Sequence, residues 1–335
     1  MRFGKVDSYI LLGGGILLLD VAKELRNGDY DVLVVTSPRH MKERLSEVER
    51  SFEDCLVQSE IDYLVSENVN TDTQIHNLIT SSTVGLSLGA AWIFRKKLID
   101  RFSGKLLNLH GTRLPEDRGG GIFSWRILRD NKLGGCSLHQ VDTGVDTGPI
   151  IKYAEFIYPE WCRIPKHYTD VYVEESKKFL SAFFDDIERD IEFSPADQLR
   201  DLSSYWPRLS TDQHGYLDWD WNLLQIDRFV RAFDEPYMGA STFLNGNRVF
   251  LKGSFVDSSS GTFHPFQNGM VYRTSPSKVF VATEDGTLGL GNVTNEKDED
   301  ITTTIQVGDR FYTPNNLLEK AKQFRAVFTP KGLKV

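Results

Sequence analysis

An α/β fold, with a mostly parallel sheet flanked by helices, is predicted by the alternation of short β-rich runs and helical patterns in the first half of the chain. A second observation, regular short strands with Asx-Gly turns in the last third, predicts a small antiparallel β-barrel after it. The third is a strand end that carries an amide and an imidazole, where such sheets bind ligands.

The elements follow in order. Ser8–Leu12 reads as a strand, and Gly13-Gly14-Gly15 turns it into a helix through Ala22 and Leu25. Tyr30–Thr36 is a second strand, Met41–Ser51 a polar helix and Asp62–Val65 a short third strand. Val84–Leu88 and Leu106–Leu109 are further apolar runs, and Asn108 and His110 sit at the end of the latter. Within Ile164–Arg189 a helix from about Thr169 gathers Val171, Phe179, Phe183, Phe184 and Ile187 on or near one face, an arrangement that reads as core. Pro195 to Pro207 reads as a linker and Asn222–Phe233 as a helix. Asn245-Gly246, Asn268-Gly269 and Asp285-Gly286 then mark the turns of the barrel, whose shape is of the oligonucleotide-binding type. Asn295–Ile301 is a solvated charged loop. The expected division is a catalytic domain over 1–200, a linker and helix over 201–236, and a barrel domain over 237–335.

The glycine triplet does not make a dinucleotide site. The G-x-G-x-x-G pattern needs glycine at position 18, which is Leu18, and no acid is placed after the second strand. A tight turn is the better reading, because glycine reaches backbone angles closed to other residues. The amides of Gly13 and Gly14 are still candidates to meet a substrate phosphate at the helix N-terminus.

Composition narrows the class. With 335 residues, 40% hydrophobic and 26% charged, the chain fits about two soluble domains. No apolar run approaches the roughly 18 residues of a membrane span. Three widely spaced cysteines form no metal or redox pattern, which favours a reducing cytoplasm. Net charge is −8, and residues 211–335 hold 13 Lys and Arg against 15 Asp and Glu. A surface built to hold nucleic acid needs an excess of positive charge, so a small anionic ligand is favoured over a nucleic-acid partner.

The chemistry concentrates in residues 106–151. Asn108, His110, Pro115, Gly119-Gly120-Gly121, His139, Asp142 and Asp146 all fall there. An amide donates to a developing oxyanion, an imidazole handles a proton, and a carboxylate orients the imidazole or a water. Taken singly, Asn108 could cap a turn and His110 could be a satisfied buried histidine. His139 divides between a structural bond that orders the acidic loop and a direct contact. A metal site built from His110, His139, Asp142 and Asp146 is disfavoured, since the acids lie in a Gly-rich loop and no H-E-x-x-H spacing occurs.

Asn108-Leu109-His110, Leu114-Pro115, His139 and Val145-Asp146-Thr147-Gly148-Pro149 together resemble the signature of the N10-formyltetrahydrofolate-dependent formyltransferases. The 38 positions between Asn108 and Asp146 match the separation expected for that family. Thr83–Phe94 resembles the strand and turn that line its folate pocket. Trp206–Ser210, Leu217-Asp218-Trp219, Ile226–Phe233, Gly239–Thr242 and Gly308–Phe311 resemble landmarks of its longer members. The resemblance implies a Rossmann-like catalytic domain with an OB-like barrel behind it. It implies Asn108, His110 and Asp146 as catalytic residues, N10-formyltetrahydrofolate as cosubstrate and no metal. Gly89, Trp92, Ile93 and Phe94 are then expected along the pterin, with backbone groups of Trp92 and Phe94 bonding its edge and Val141, Asp142 and Thr143 closing the other side. Trp92 departs from the basic residue of the purine enzymes, so its side chain is expected to pack.

The run from His110 to Trp125 is similar to enzymes that formylate amino sugars on nucleotide carriers for surface polysaccharides. The implied substrate is a small-molecule nucleotide sugar carried on dTDP, with no nucleic acid and no membrane partner. Arg113 or Arg118 is the candidate for its diphosphate, the alternative for each being a surface ion pair with Glu116 or Asp117. Trp125, on a helix, is expected in the core. Two enzymatic alternatives stand beside this one: a methionyl-tRNA formyltransferase, which fits the two-domain plan but not the charge, and a formyltetrahydrofolate hydrolase. A catalytically dead binding module is the third. The oligomeric state is open, with a homodimer through the barrel or its linker admitted.

Overall fold

The computed structural model describes residues 1–45, 50–257 and 261–334. A seven-stranded sheet forms its first part. The strands are β1 (Ser8–Gly13), β2 (Asp31–Thr36), β3 (Tyr63–Val65), β4 (Thr83–Leu88), β5 (Leu106–His110), β6 (Leu133–Gln140) and β7 (Ile150–Ile157). Their spatial order is β7-β6-β5-β4-β1-β2-β3. The five strands from β5 to β3 run parallel, while β6 and β7 pair antiparallel at one edge. The buried central strands β1 and β4 read as near-continuous apolar runs because both faces are covered.

Helices α1 (Ile16–Asn27), α2 (Phe52–Gln58), α3 (Thr73–Leu78), α4 (Lys96–Arg101), α5 (Ile122–Leu128) and α6 (Pro165–Glu188) follow between or after these strands. The long α6 starts at Pro165, suited to a first helical turn where no N–H is needed. Its Phe179, Phe183, Phe184 and Ile187 are buried in the core shared with α1, whereas Val171 packs toward a second core. A third core gathers Ile10, Val35, Trp92, Phe94, Leu98 and Phe102 on the opposite face of the sheet.

One expected helix is replaced. In place of a polar helix over Met41–Ser51, a short helical turn ends at Met41, and Arg44–Leu45 pairs antiparallel with Arg50–Ser51. Residues 46–49 of that expectation lie outside the described residues. Ser51 instead begins α2, accepting from the Asp54 amide while Asp54 accepts in return, a capping box that starts a helix where the polar pattern suggested one continuing.

After α7 (Leu223–Ala232), capped by Asn222 and Gln225, come β8 (Ala240–Leu244), β9 (Asn247–Asp257), β10 (Val271–Ser275), β11 (Lys278–Thr283), β12 (Gly286–Asn295) and β13 (Phe311–Tyr312). They form one antiparallel sheet in the order β10-β11-β12-β9-β8-β13. The sheet is curled: Gly269 and Val271 at one edge exchange backbone bonds with residues 308–311 at the other. Asn245 and Gly246 both take positive φ in the two-residue β8–β9 turn, which explains the Asn-Gly pair. Asn268-Gly269 is no hairpin tip; it leads from a short 3-10 turn into β10. The second core draws on both parts of the chain, with Ile127, Tyr158 and Tyr168 beside Phe233, Leu251 and Val281. Helix α8 (Asn315–Gln323) and a hairpin pairing Phe328–Thr329 with Gly332–Leu333 complete the chain. No described helix is long and apolar enough to cross a membrane.

Candidate active site

Asn108 and His110 lie two apart on β5 and so share one face of the sheet. Register places His139 of antiparallel β6 directly opposite Asn108. Asp146 comes from the β6–β7 loop with φ of 54°, a left-handed conformation that Asp tolerates better than most residues. The four side chains converge. Asn108 Nδ2 is 3.1 Å from His139 Nε2, and Asp146 Oδ1 is 3.7 Å from both His139 Nε2 and His110 Nδ1. His139 thus belongs to the constellation, a membership that the sequence left divided.

Backbone partners fix the protons. His139 Nδ1 faces the Gln140 carbonyl at 2.8 Å, so it carries hydrogen and, in the neutral ring, Nε2 accepts from Asn108. The second amide hydrogen of Asn108 is then available to a ligand. His110 Nε2 faces the Asp117 carbonyl at 2.7 Å and must likewise donate. Its Nδ1 is left to take up a proton, and the resulting imidazolium would face Asp146. The Asp117 carbonyl also accepts from Thr112 Oγ1 at 2.8 Å. This clamp on His110 has no signal in the sequence, since a backbone atom supplies it.

Burial pushes the Asp146 carboxyl up, but the His110 charge, the facing His139 ring and the Gly119 amide outweigh it and hold the group down at about 2. Depression below the ordinary value of 3.8 means that the carboxylate stabilises the fold above pH 4 and loses that contribution as pH falls toward 2. A shift of this size corresponds to about 2 kcal/mol. Acid unfolding followed by circular dichroism should therefore show wild type losing about 2 kcal/mol more than Asp146→Asn between pH 4 and pH 2. Parallel acid titrations for the two proteins would contradict this account.

The Gly119–Gly121 loop holds Asp146 from the other side. Gly119 N donates to Asp146 Oδ2 at 3.0 Å. Arg118 and Gly119 pair parallel with Tyr205 and Trp206, so the expected linker is a docked strand that buttresses the loop. Gly119 takes φ of 97°, and a Cβ there would overlap the Trp206 carbonyl oxygen. Gly119→Ala should displace the loop, lower the melting temperature by a few degrees and cut kcat by about 10-fold or more through misplacement of Asp146. An unchanged kcat would separate this loop from the chemistry.

Both candidate arginines are already engaged. Arg118 donates to Gln198 Oε1 at 2.7 Å, and Gln198 Nε2 bonds the carbonyls of Asp146 and Gly148. That relay braces the Asp146 loop, and Gln198 was not legible as a site residue. Arg113 lies 3.3 Å from Glu116 and 3.7 Å from Glu155, the ion-pair alternative. Asp117 pairs through its carboxylate with Arg129 and Arg126.

On the expected folate side, Gly89 takes φ of 66° after β4, and Trp92 and Phe94 are buried. The Trp92 indole packs and donates to the Glu67 carbonyl, which leaves its backbone as the part available to a ligand. Ile93 is exposed, and its carbonyl accepts from Asn70 Nδ2. Val141 packs against the third core, and Thr143 is exposed. Asp142 Oδ1 accepts from Thr147 Oγ1 at 2.6 Å and from the Gly144 amide, so it braces the loop from within. Gly13 takes φ of 145°, and a Cβ there would overlap the Leu88 carbonyl oxygen. A Cβ on Gly14 would crowd the His40 ring. A cavity of about 440 Å³ lies elsewhere, between α5, α7 and α8, with Trp125, Trp221, Phe229 and Phe324 in its wall and none of the four converging residues. Trp125 is thus half-exposed at a cavity, against the expectation of core.

A mostly parallel sheet that gathers an amide, two imidazoles and a carboxylate holds the groups that acyl transfer requires. The comparisons with known proteins carry this further. Residues 9–175 match the family model described as formyl transferase, and residues 210–305 match the formyl transferase C-terminal domain. The chain belongs to the formyl transferase family and is an enzyme of formyl transfer from a folate-type donor. The methionyl-tRNA formyltransferase of Streptococcus agalactiae serotype III is 26% identical over 80% of this chain and 84% of its own. That of Myxococcus xanthus is 28% identical over 59% and 61%. Among solved structures, the sugar 3N-formyl transferase WlaRD, crystallised with dTDP and 5-N-formyl-THF, superposes with a TM-score of 0.65 at 15% identity. The match covers 88% of this chain and 100% of that one. The N-formyltransferase of Helicobacter canadensis, in complex with folinic acid and dTDP-3-aminofucose, gives 0.62 at 15% identity over 85% and 98%.

Proposed function

We propose that this enzyme moves the formyl group of N10-formyltetrahydrofolate to the amino group of a nucleotide-linked amino-deoxysugar, with dTDP as the carrier. The observation that carries the sugar reading is charge: residues 211–335 hold 13 Lys and Arg against 15 Asp and Glu, no surface for a polyanion. The dTDP compounds named for the two structural neighbours support it. Methionyl-tRNA is the second reading, favoured by the sequence relatives.

In this reading residues 1–200 carry the chemistry, 201–236 link, and 237–335 form the barrel domain. Gly89, Trp92, Ile93 and Phe94 lie along the pterin, with backbone groups of Trp92 and Phe94 bonding its edge, and Val141, Asp142 and Thr143 face it from across the cleft. Asn108 gives its unused amide hydrogen to the oxyanion as the amine adds to the formyl carbon. Nδ1 of His110 takes the proton released by the amine, and Asp146 stabilises the imidazolium. The proton then passes to the departing nitrogen of tetrahydrofolate. His110 Nε2 plays no part at the oxyanion, because its hydrogen is spent on the Asp117 carbonyl.

The test is to incubate the enzyme and formyl donor separately with dTDP-amino sugars and with methionyl-tRNA, then to find the added formyl group by mass. Formyl sugar is the expected product. Formylation of the tRNA and of no sugar would overturn the proposal in favour of the second reading.

A further inference from the structure

With Arg113 and Arg118 engaged, a diphosphate needs other partners, and the sheet supplies them one strand away. Arg39 and His40 follow β2, and His40 packs against the Gly14 backbone where a Cβ would crowd its ring. Arg39 is largely buried, and its Nε has no hydrogen-bond partner; Glu43, 3.7 Å away, is its only ion-pair partner among the described residues. Arg39 Nη2 donates to His40 Nε2 at 2.9 Å. His40 is 4% exposed, and its ring also has a backbone hydrogen bond at Gly13. The adjoining helix α1 begins at Gly15 with no side-chain cap and no acid in its first turn. Its orphan amides and positive dipole end therefore face no anionic group of the helix itself.

Arg208 joins this cluster from 169 positions further along the chain. Its Cβ lies against Gly120, the neighbour of the Gly119 that donates to Asp146. Its guanidinium lies 4.4 Å from the Phe328 ring centroid and forms no hydrogen bond or ion pair among the described residues. The same C-terminal hairpin accepts the Arg39 amide through the Pro330 carbonyl at 3.1 Å, so one short element spans both arginines. The two charges feel each other: burial and then Arg208 lower Arg39, while Glu43 offsets them in part. Burial and Arg39 also push His40 down to about 4, which keeps that ring neutral. Two guanidiniums, a neutral imidazole and an uncapped helix start thus share one carboxylate.

We propose that Arg39 and Arg208 grip the diphosphate of the nucleotide sugar, beside the Gly13–Gly15 turn and one loop from Asp146. The proposal rests on the sugar reading above and adds the residues that select for it. A planar fork suits a phosphate oxygen pair, and two forks from separate elements suit two phosphates. Arg208 is exposed, so its removal leaves the fold intact, and its attachment to the Gly119–Gly121 loop ties substrate binding to the position of Asp146.

Calorimetric titration of the full-length protein with dTDP, and separately with inorganic pyrophosphate, tests this. Arg208→Ala should weaken both about 10-fold to 100-fold, as loss of a charge-assisted bidentate contact does. Arg39→Lys should weaken them less, since it keeps charge but not the fork, and Lys178→Ala on the exposed face of α6 should change nothing. In turnover with a dTDP-amino sugar, Arg208→Ala should raise KM more than it lowers kcat. Wild-type affinity for dTDP in Arg208→Ala, with the sugar still formylated, would overturn the clamp and leave the sugar reading standing. Formylation of methionyl-tRNA alone, with no dTDP binding by the wild type, would overturn both.

Discussion

Asn108→Ala is expected to lower kcat by about 10²–10³, the usual cost of one lost oxyanion donor. Folate binding should survive, because the proposed pterin contacts are backbone groups that follow β4, away from Asn108. The reason for so large an effect is geometric. His139 takes one amide hydrogen of Asn108 and holds the second in a single direction, so the donor needs no reorganisation during reaction. Asn108→Asp makes a sharper test, as it keeps the volume but offers an acceptor to a developing negative charge. Pre-steady-state formyl transfer, with donor affinity measured alongside, reads both variants. A kcat within threefold of wild type in either would remove Asn108 from the oxyanion.

His110→Ala should cost about 10²–10⁴ in kcat, the range of a positioned acid–base group. Two consequences separate this from simple loss of structure. First, the variant keeps the Asp117 carbonyl satisfied through Thr112 Oγ1, so its melting temperature should shift by only a few degrees. Second, added imidazole should restore part of the rate, entering the space left by the ring beside Asp146. A stable variant whose rate ignores imidazole would leave His110 a structural residue. Retention of wild-type kcat would exclude it from proton transfer altogether.

The architecture was legible where local chemistry decides it. Buried parallel strands show as apolar runs, and Asn245-Gly246 shows a tight hairpin because both residues must take positive φ. The pair Asn108 and His110 could be placed on one face from the period of a strand alone. Asp146 could be assigned only through resemblance, since its meeting with them depends on a loop that crosses back over β5. What escaped notice was set by distant contacts. Met41–Ser51 carries a helical polar pattern, yet the strand pair and the Ser51 capping box divide it. The engagement of Arg113 and Arg118 depends on Glu155 and Gln198, which lie 42 and 80 positions away. The hold on His110 comes from a carbonyl, an atom that every residue has.

Tyr205 and Trp206 stand after the last strand of the first sheet, yet they complete the scaffold that aims its carboxylate. A fragment ending near residue 200 would keep all four converging side chains and still lack the wall behind Gly119. Such a piece could retain donor affinity while turning over poorly. In this enzyme the joining segment is therefore part of the machine, and grafting a different rear half onto the same front would alter the rate.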